Sequence, residues 1–276
     1  MKLWPFALLL AVALPASAEA QRRQRPCDEG RLGHLENALI GDRLVQSERM
    51  IATLRADCNE NGRFAALNAR FALQSGRHAD AYGLYAALAA REPANIEFAA
   101  GAGRAALHLG RDDEAFDYLR RATASPEADW RAWNAIGILH DRRRQWSESE
   151  QAYARAAELS PYSASVWSNR GYSLILQRRP AEAIPMLDRA HGLDPNNAAI
   201  RRTREVAYAL NGTYDETRRQ GESTGDWARR LNNIGYAAWL AGDGATARRL
   251  LSQAIEVSET RFERAEHNLA RVEGRE

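Results

Sequence analysis

Residues 130–163 read WRAWNAIGILHDRRRQWSESEQAYARAAELSPYS, and residues 164–197 read ASVWSNRGYSLILQRRPAEAIPMLDRAHGLDPNN. The two segments are equal in length and keep matching residue types in register. The matched pairs are Trp133 and Trp167, Gly137 and Gly171, Ala156 and Ala190, and Pro161 and Pro195. A fixed period of 34 residues with these residue types is typical of stacked helical hairpins and not of one compact enzyme domain.

The residues that keep this phase resemble the tetratricopeptide repeat family, and the pattern continues on both sides of the quoted stretch, for example at Gly103 and Gly235. The resemblance implies an all-α fold, a solenoid of helical hairpins wound as a right-handed superhelix. The array is predicted to run over residues 62–261, with repeats near 62–95, 96–129, 130–163, 164–197, a degenerate repeat at 198–227, and 228–261. Residues 262–276 then form a capping helix and tail.

Small residues in the pattern predict where the two helices of a hairpin approach each other. Gly137 should face Ser149, and Gly171 should face Ala183, because close approach requires small side chains. Larger residues such as Tyr153 then fill the gap towards the next hairpin.

Helix ends are predicted from turn and capping residues. Gly76, Gly110, Gly212 and Gly242 mark the turns within hairpins, because glycine tolerates positive φ. Pro161 and Pro195 end the second helices of their repeats. Ser147 followed by Glu150 predicts a capping box that opens a second helix.

The stretch 198–227 departs from the pattern. Gly212 stands at the turn position, but Gly235 follows Gly171 by 64 residues where two periods would require 68. We interpret this stretch as a degenerate repeat with a shortened exit loop. Pro185 lies near the start of its helix, so we expect a mild bend there and not a break.

Residues 1–18 have the pattern of a secretory signal peptide: Lys2, an apolar run from Phe6 to Leu14, and a small-residue cleavage site ending at Ala18. The alternative is an uncleaved membrane anchor. No other run approaches the length of a transmembrane helix, so the mature chain is expected in the periplasm, without stable membrane insertion.

The segment 19–61 is predicted to hold a degenerate helical hairpin, with helices over 31–40 and 43–55. Cys27 and Cys58 would lie side by side at its open end. In an exported chain this arrangement favours a disulfide that staples the terminal hairpin; two unpaired thiols are the alternative.

Composition excludes some functions. The formal net charge is +2, which argues against a dedicated nucleic-acid binder. Lys2 is the one lysine, and the short basic run at 21–25 is either a solvated tail or a weak membrane contact.

Catalytic and metal-binding patterns are missing from the sequence. The run Gly101–Ala106 matches a loose dinucleotide fingerprint but has no preceding strand. Histidines such as His108, His140 and His191 stand apart from one another and from cysteines or acidic clusters. We therefore expect no enzymatic activity, no cofactor and no metal.

The resemblance implies a binding groove, because in this family the second, fifth, ninth and twelfth positions of first helices face a concave surface. On this chain the peptide-binding positions include Arg70, Arg104, Arg131, Asn134, Ser168, Tyr172, Arg202, Arg229, Asn232, Tyr236 and Trp239. Arginine, asparagine and aromatic side chains suit an acidic or extended peptide segment. The alternative is an ordinary solvated surface.

The expected function is a periplasmic adaptor that holds envelope proteins together through this groove. The closing unit around Asn232–Tyr236 resembles the repeat protein of tight-adherence (Flp-type) pilus assembly, although a lipoprotein cysteine is absent at the cleavage point. Alternatives are a scaffold for exopolysaccharide or cell-wall machinery, a sugar-binding protein that uses its exposed aromatic rings, and an enzyme domain within 198–227.

Overall fold

The computed structural model describes residues 27–214, 218, 221–240 and 242–275, and these residues form fourteen α-helices and no β-strand. The chain divides into two compact units, Met1–Ala105 and Ala106–Glu276, and the division falls within α5. The helices that begin in the first unit are α1 Glu29–Ile40, α2 Leu44–Cys58, α3 Gly62–Gln74, α4 His78–Arg91 and α5 Ile96–His108. Those of the second unit are α6 Asp112–Thr123, α7 Trp130–Arg142, α8 Trp146–Leu159, α9 Ala164–Leu176, α10 Pro180–Leu193, α11 Ala198–Asn211, α12 Thr224–Leu240, α13 Gly244–Glu256 and α14 Glu263–Val272.

The period of 34 residues governs where helices begin. First helices of hairpins start at Gly62, Ile96, Trp130, Ala164 and Ala198. Second helices start at Leu44, His78, Asp112, Trp146 and Pro180. Because α2 begins in phase with the later second helices, the terminal hairpin α1–α2 is itself part of the periodic array, which extends further towards the N-terminus than residue 62.

The turn inside each hairpin uses one left-handed residue, and this residue also recurs every 34 positions. Their φ angles are 52° at Asp42, 76° at Gly76, 72° at Gly110, 56° at Arg144, 60° at Arg178 and 85° at Gly212. Gly242 likewise has a φ of 83°. The predicted glycine turns are confirmed, and three of the equivalent positions carry non-glycine residues in a conformation that L-residues adopt at a cost.

First and second helices begin differently. Asn61, Asp129 and Asn197 each accept a hydrogen bond from the first turn of the helix that follows. Second helices begin without a side-chain cap, for example at Arg77 and Gln145.

The predicted capping box is therefore wrong. Ser147 lies within the first turn of α8, where its hydroxyl accepts from Gln151 Nε2 at 3.2 Å. Glu150 pairs instead with Arg179, at the start of the next second helix. The Glu150 carboxylate meets a full positive charge there, and this outcompetes a bond back to a neutral backbone N–H.

Glycines let the helices of a hairpin approach closely, but the residue opposite differs from the one expected. A Cβ on Gly137 would lie 2.8 Å from the Tyr153 ring, and one on Gly171 would lie 2.6 Å from Leu187 Cγ. The large side chains of the second helix thus cover the glycines directly. Ser149 is not among the atoms nearest to Gly137.

In the first unit, α1, α2 and α3 enclose one core that includes Leu35, Leu54 and Phe64. Cys27 and Cys58 form a disulfide with Cα atoms 4.7 Å apart, and it closes the open end of the α1–α2 hairpin. The segments interpreted as the signal peptide and the basic run at 21–25 lie outside the described residues.

The degenerate stretch differs from the prediction. After α11 ends, the described part of 212–223 contains no α-helix, so the second helix of this repeat is missing and the exit loop is not simply shortened. Tyr214 is fully buried and stacks on Trp227 at 5.1 Å, so aromatic rings fill this part of the core. The next helix, α12, begins at Thr224, four residues before the predicted start at Ala228.

The remaining helix predictions agree with the structure. The helix α10 continues through Pro185 without interruption. The C-terminal helix α14 begins at Glu263 and buries Ala265.

Candidate functional site

The first helices α7, α9 and α11 lie next to one another in the second unit, in chain order. The Asn169 amide of α9 donates to Asn134 Oδ1 of α7 at 3.0 Å, which ties the two helices together. Because helix starts recur every 34 residues, equivalent positions on these helices form rows that cross the array.

Two rows on these helices are open to solvent. The fifth positions form the polar row, Asn134, Ser168 and Arg202. The ninth positions form the apolar row, Ile138, Tyr172 and Val206. Positions four residues apart share one face of a helix, so the rows run side by side, about 6 Å apart along the helix axes.

Exposure along the rows is uneven. Tyr172 is 52% exposed and Leu176, one turn further along α9, is 43% exposed. Ile138 and Val206 are half-buried, and Arg202 is exposed. An aromatic residue and a leucine with this much free surface on one helix face are the features expected of a binding surface.

Arg131 lies beside the polar row at the start of α7. Its guanidinium stacks 4.4 Å from the centre of the Trp130 ring and lies 3.7 Å from the Asp129 carboxylate. The side chain is 51% exposed, so both contacts leave part of its hydrogen-bonding surface towards solvent.

The terminal hairpin places its predicted groove residues differently. Asn232 is only 2% exposed, because Asn268 of α14 donates to its Oδ1 at 2.8 Å. The prediction that Asn232 faces an open groove is therefore wrong: α14 occupies the place of a further first helix and covers it. Tyr236 and Trp239 are half-buried against each other, with ring centres 5.4 Å apart, and Arg271 of α14 lies over Trp239.

Arg229 is exposed but already paired with Asp226. The pKa of Asp226 is lowered by hydrogen bonds from Ser223 and from Arg229, so this carboxylate stays charged beside the arginine. The first unit contributes Arg70 on α3 and Arg104 on α5, both half-exposed at ninth positions. The open part of the predicted groove in the second unit is therefore the pair of rows on α7, α9 and α11.

A buried polar network behind the rows was not foreseen from the sequence. Asp141 at the end of α7 is 7% exposed and accepts hydrogen bonds from Tyr153 of α8 at 2.8 Å and Ser173 of α9 at 2.7 Å. The signal was present in the sequence as an aspartate in a mainly apolar helix, but its partners lie 12 and 32 residues away.

A second buried cluster supports the interrupted repeat. Arg230 of α12 pairs with Glu205 of α11 at 2.8 Å and with Glu222 at 3.2 Å. The same guanidinium lies 5.2 Å from the centre of the Trp227 ring. Buried ions are tolerated only when they are paired, so this cluster fixes how α12 meets α11.

The described residues contain no group of three histidine, cysteine or acidic side chains suited to hold a metal ion. Among these residues, no helix is both long enough and apolar enough to cross a bilayer.

Known proteins share the repeat. A family model described as tetratricopeptide repeat matches residues 67–129, 118–164 and 134–198. The BBSome complex member bbs-4 of Caenorhabditis elegans is 25% identical over 156 residues, which are 56% of this chain and 34% of that protein.

Solved structures share the fold. A chain of the APC/C hetero-tetramer Cut9–Hcn1 has a TM-score of 0.61 at 15% identity and covers 88% of this chain and 48% of its own length. YrrB, a tetratricopeptide repeat protein with an unusual peptide-binding site, has a TM-score of 0.47 at 16% identity, over 66% of this chain and 96% of its own. The present chain spans about a third of the length of bbs-4 and about half of the Cut9–Hcn1 chain.

Proposed function

Since this chain is built from tetratricopeptide repeats, which indicate a scaffold for protein–protein interactions, we propose that it is an exported adaptor that binds a segment of a partner protein across the polar and apolar rows. In this role the chain positions its partners and carries out no chemistry of its own.

One observation carries the proposal: three consecutive first helices present accessible side chains in register. Tyr172 supplies exposed aromatic surface, and Arg202 and Arg131 supply exposed cations close to it. Tyrosine and arginine are the residue types that contribute most energy at protein interfaces. A partner segment with carboxylates would meet the arginines, and its apolar side chains would meet the Tyr172 ring.

Export to the periplasm is supported by two independent features. The pattern of residues 1–18 is that of a signal peptide. The Cys27–Cys58 disulfide is a type of bond that persists in oxidising compartments and is rare in the reducing cytosol.

The narrower role is a part in assembling a tight-adherence (Flp-type) pilus. Its support is the resemblance of the closing unit, residues 232–236, together with the signal peptide pattern. In this role the adaptor would hold a pilus assembly protein at the envelope.

Affinity capture from an envelope extract tests the proposal. The baits are the wild-type chain, the variant Arg131→Glu with Arg202→Glu, and a matched control, Arg144→Glu with Arg178→Glu. The control makes the same charge change at exposed turn residues away from the rows. We expect wild type and control to capture the same envelope proteins and the row variant to lose them.

The outcomes separate the levels of the proposal. Equal capture by all three baits would show that binding uses another surface. Capture of polysaccharide-synthesis proteins in place of pilus components would overturn the pilus role and leave the adaptor role standing.

A further inference from the structure

The apolar row repeats at a distance that selects a ligand conformation. Ile138, Tyr172 and Val206 stand on three successive neighbouring helices. Axes of packed helices lie about 8–10 Å apart, so the row has one apolar contact at about this interval.

Regular peptide conformations differ in how often a side chain returns to one face. A polyproline II segment has three residues per turn and rises about 3.1 Å per residue, so every third side chain returns after about 9.3 Å. A β-strand returns every second residue, after about 6.6 Å. An α-helix gives apolar contacts about 5.4 Å apart, or about 10.8 Å over two turns. The polyproline II repeat is the one that falls within the spacing of the helices.

The polar row complements the backbone of such a segment. Polyproline II has no internal hydrogen bonds, so its carbonyl oxygens need outside donors. The Ser168 hydroxyl and the two N–H groups of Asn134 Nδ2 are donors, and the Asn134 oxygen is already occupied by Asn169. Arg202, with Arg201 beside it in sequence, adds positive charge at the α11 end of the rows.

We propose that the polar and apolar rows bind a polyproline II segment of a partner protein that carries a bulky apolar residue at every third position and a carboxylate beside Arg202. This inference rests on the proposed function, because it specifies the ligand of the same surface. The Tyr172 ring is the central contact, since it is the most exposed member of the apolar row.

The test uses three fluorescently labelled synthetic peptides and measures polarisation against the purified chain. The first reads Glu-Leu-Pro-Pro-Leu-Pro-Pro-Leu-Pro-Glu, with glutamate at both ends so that either direction places a carboxylate near Arg202. The second replaces every proline by alanine and keeps the leucine spacing. The third replaces both glutamates by glutamine.

Two chain variants make the test specific. Tyr172→Ser removes the central ring, and Tyr162→Ser is the matched control, because Tyr162 is 82% exposed in the loop after α8 and lies outside both rows. Neither substitution touches the core. Tyr172→Ser should weaken binding of the proline peptide by at least about tenfold, and Tyr162→Ser should leave it unchanged.

The proline peptide should also bind more tightly than the alanine and glutamine peptides. The inference is overturned if the proline peptide fails to bind, if the alanine peptide binds as tightly, or if both tyrosine variants behave alike. Each of these results would leave the adaptor proposal to be judged by the capture experiment. Loss of row-dependent capture would remove the proposed function itself.

Discussion

The Tyr153 hydroxyl donates a 2.8 Å hydrogen bond to Asp141 Oδ2 inside the hairpin formed by α7 and α8. Ser173 of α9 donates to the other oxygen of the same carboxylate at 2.7 Å. One buried aspartate therefore connects both helices of a hairpin to the first helix of the next hairpin. The connection lies directly behind the helices that carry the polar and apolar rows.

This contact makes stability depend on pH in the alkaline range. Burial, followed by the nearby Asp141 charge and the hydrogen bond to it, raises the pKa of Tyr153 well above its ordinary value near 10. The folded state then keeps a proton that the unfolded chain releases. The contribution is fully present below about pH 10, and above it the free energy of unfolding falls by about 1.4 kcal/mol per pH unit.

Urea unfolding of wild type and Tyr153→Phe between pH 7 and 11.5 tests this relationship. The variant should be less stable at pH 7 by about 1–3 kcal/mol, because Asp141 loses a buried donor. The difference between the two proteins should shrink above pH 10. Parallel curves across the whole range would contradict the assigned pKa direction.

Gly171 should tolerate no side chain. A Cβ there would lie 2.6 Å from Leu187 Cγ and 3.3 Å from the Ala183 carbonyl oxygen, so Gly171→Ala should destabilise the protein by about 1–3 kcal/mol. Gly192→Ala is the matched control, because nothing lies within 4 Å of a Cβ at that position of α10. It should be neutral or stabilising by up to about 1 kcal/mol. Equal melting temperatures for the two variants would be inconsistent with this packing.

Arg144 and Arg178 should be improved by glycine. Both are exposed and adopt positive φ at the turn position, where the equivalent residue in an earlier hairpin is Gly110. Each substitution to glycine should stabilise the protein by about 1 kcal/mol, and Gly110→Ala should destabilise it by a similar amount. Differential scanning calorimetry measures all three. A fall in melting temperature for the glycine variants would refute the expectation.

Arg230 should be far more important for stability than its neighbour Arg229. Arg230→Met removes the cation that Glu205 and Glu222 share in a buried cluster, and should cost about 3–5 kcal/mol. Arg229→Met removes an exposed ion pair with Asp226 and should change stability by less than about 1 kcal/mol. Chemical denaturation of the pair of variants separates the two cases, and similar losses would show that the buried cluster has no special role.

The repeat itself could be predicted from the sequence because every element of it is local. Glycine at a turn, proline after a second helix and apolar residues at helical spacing act within one hairpin, and they recur in the next. The positive φ of Gly76 and Gly212 and the ends of α8 and α10 just before Pro161 and Pro195 agree with those predictions.

The predictions that were wrong depended on contacts between distant residues. Ser147 and Glu150 have the spacing of a capping box, yet Glu150 pairs with Arg179, which lies 29 residues away in the chain. The missing second helix after α11 could not be predicted either. Its place in the core is taken by the stacked rings of Tyr214 and Trp227, and a short sequence window does not reveal such a contact.

The sequence alone determined the helical period, the turn positions and the pairing of Cys27 with Cys58 as an expectation, since each depends on residue type and spacing within or between adjacent helices. Only the tertiary structure decided which repeat positions remain open. Asn134 and Asn232 occupy the same repeat position, but Asn134 is half-exposed while Asn232 is buried beneath α14. The difference arises because the exposure of a side chain is set by the neighbouring helix that packs beside it, and not by its own position in the repeat.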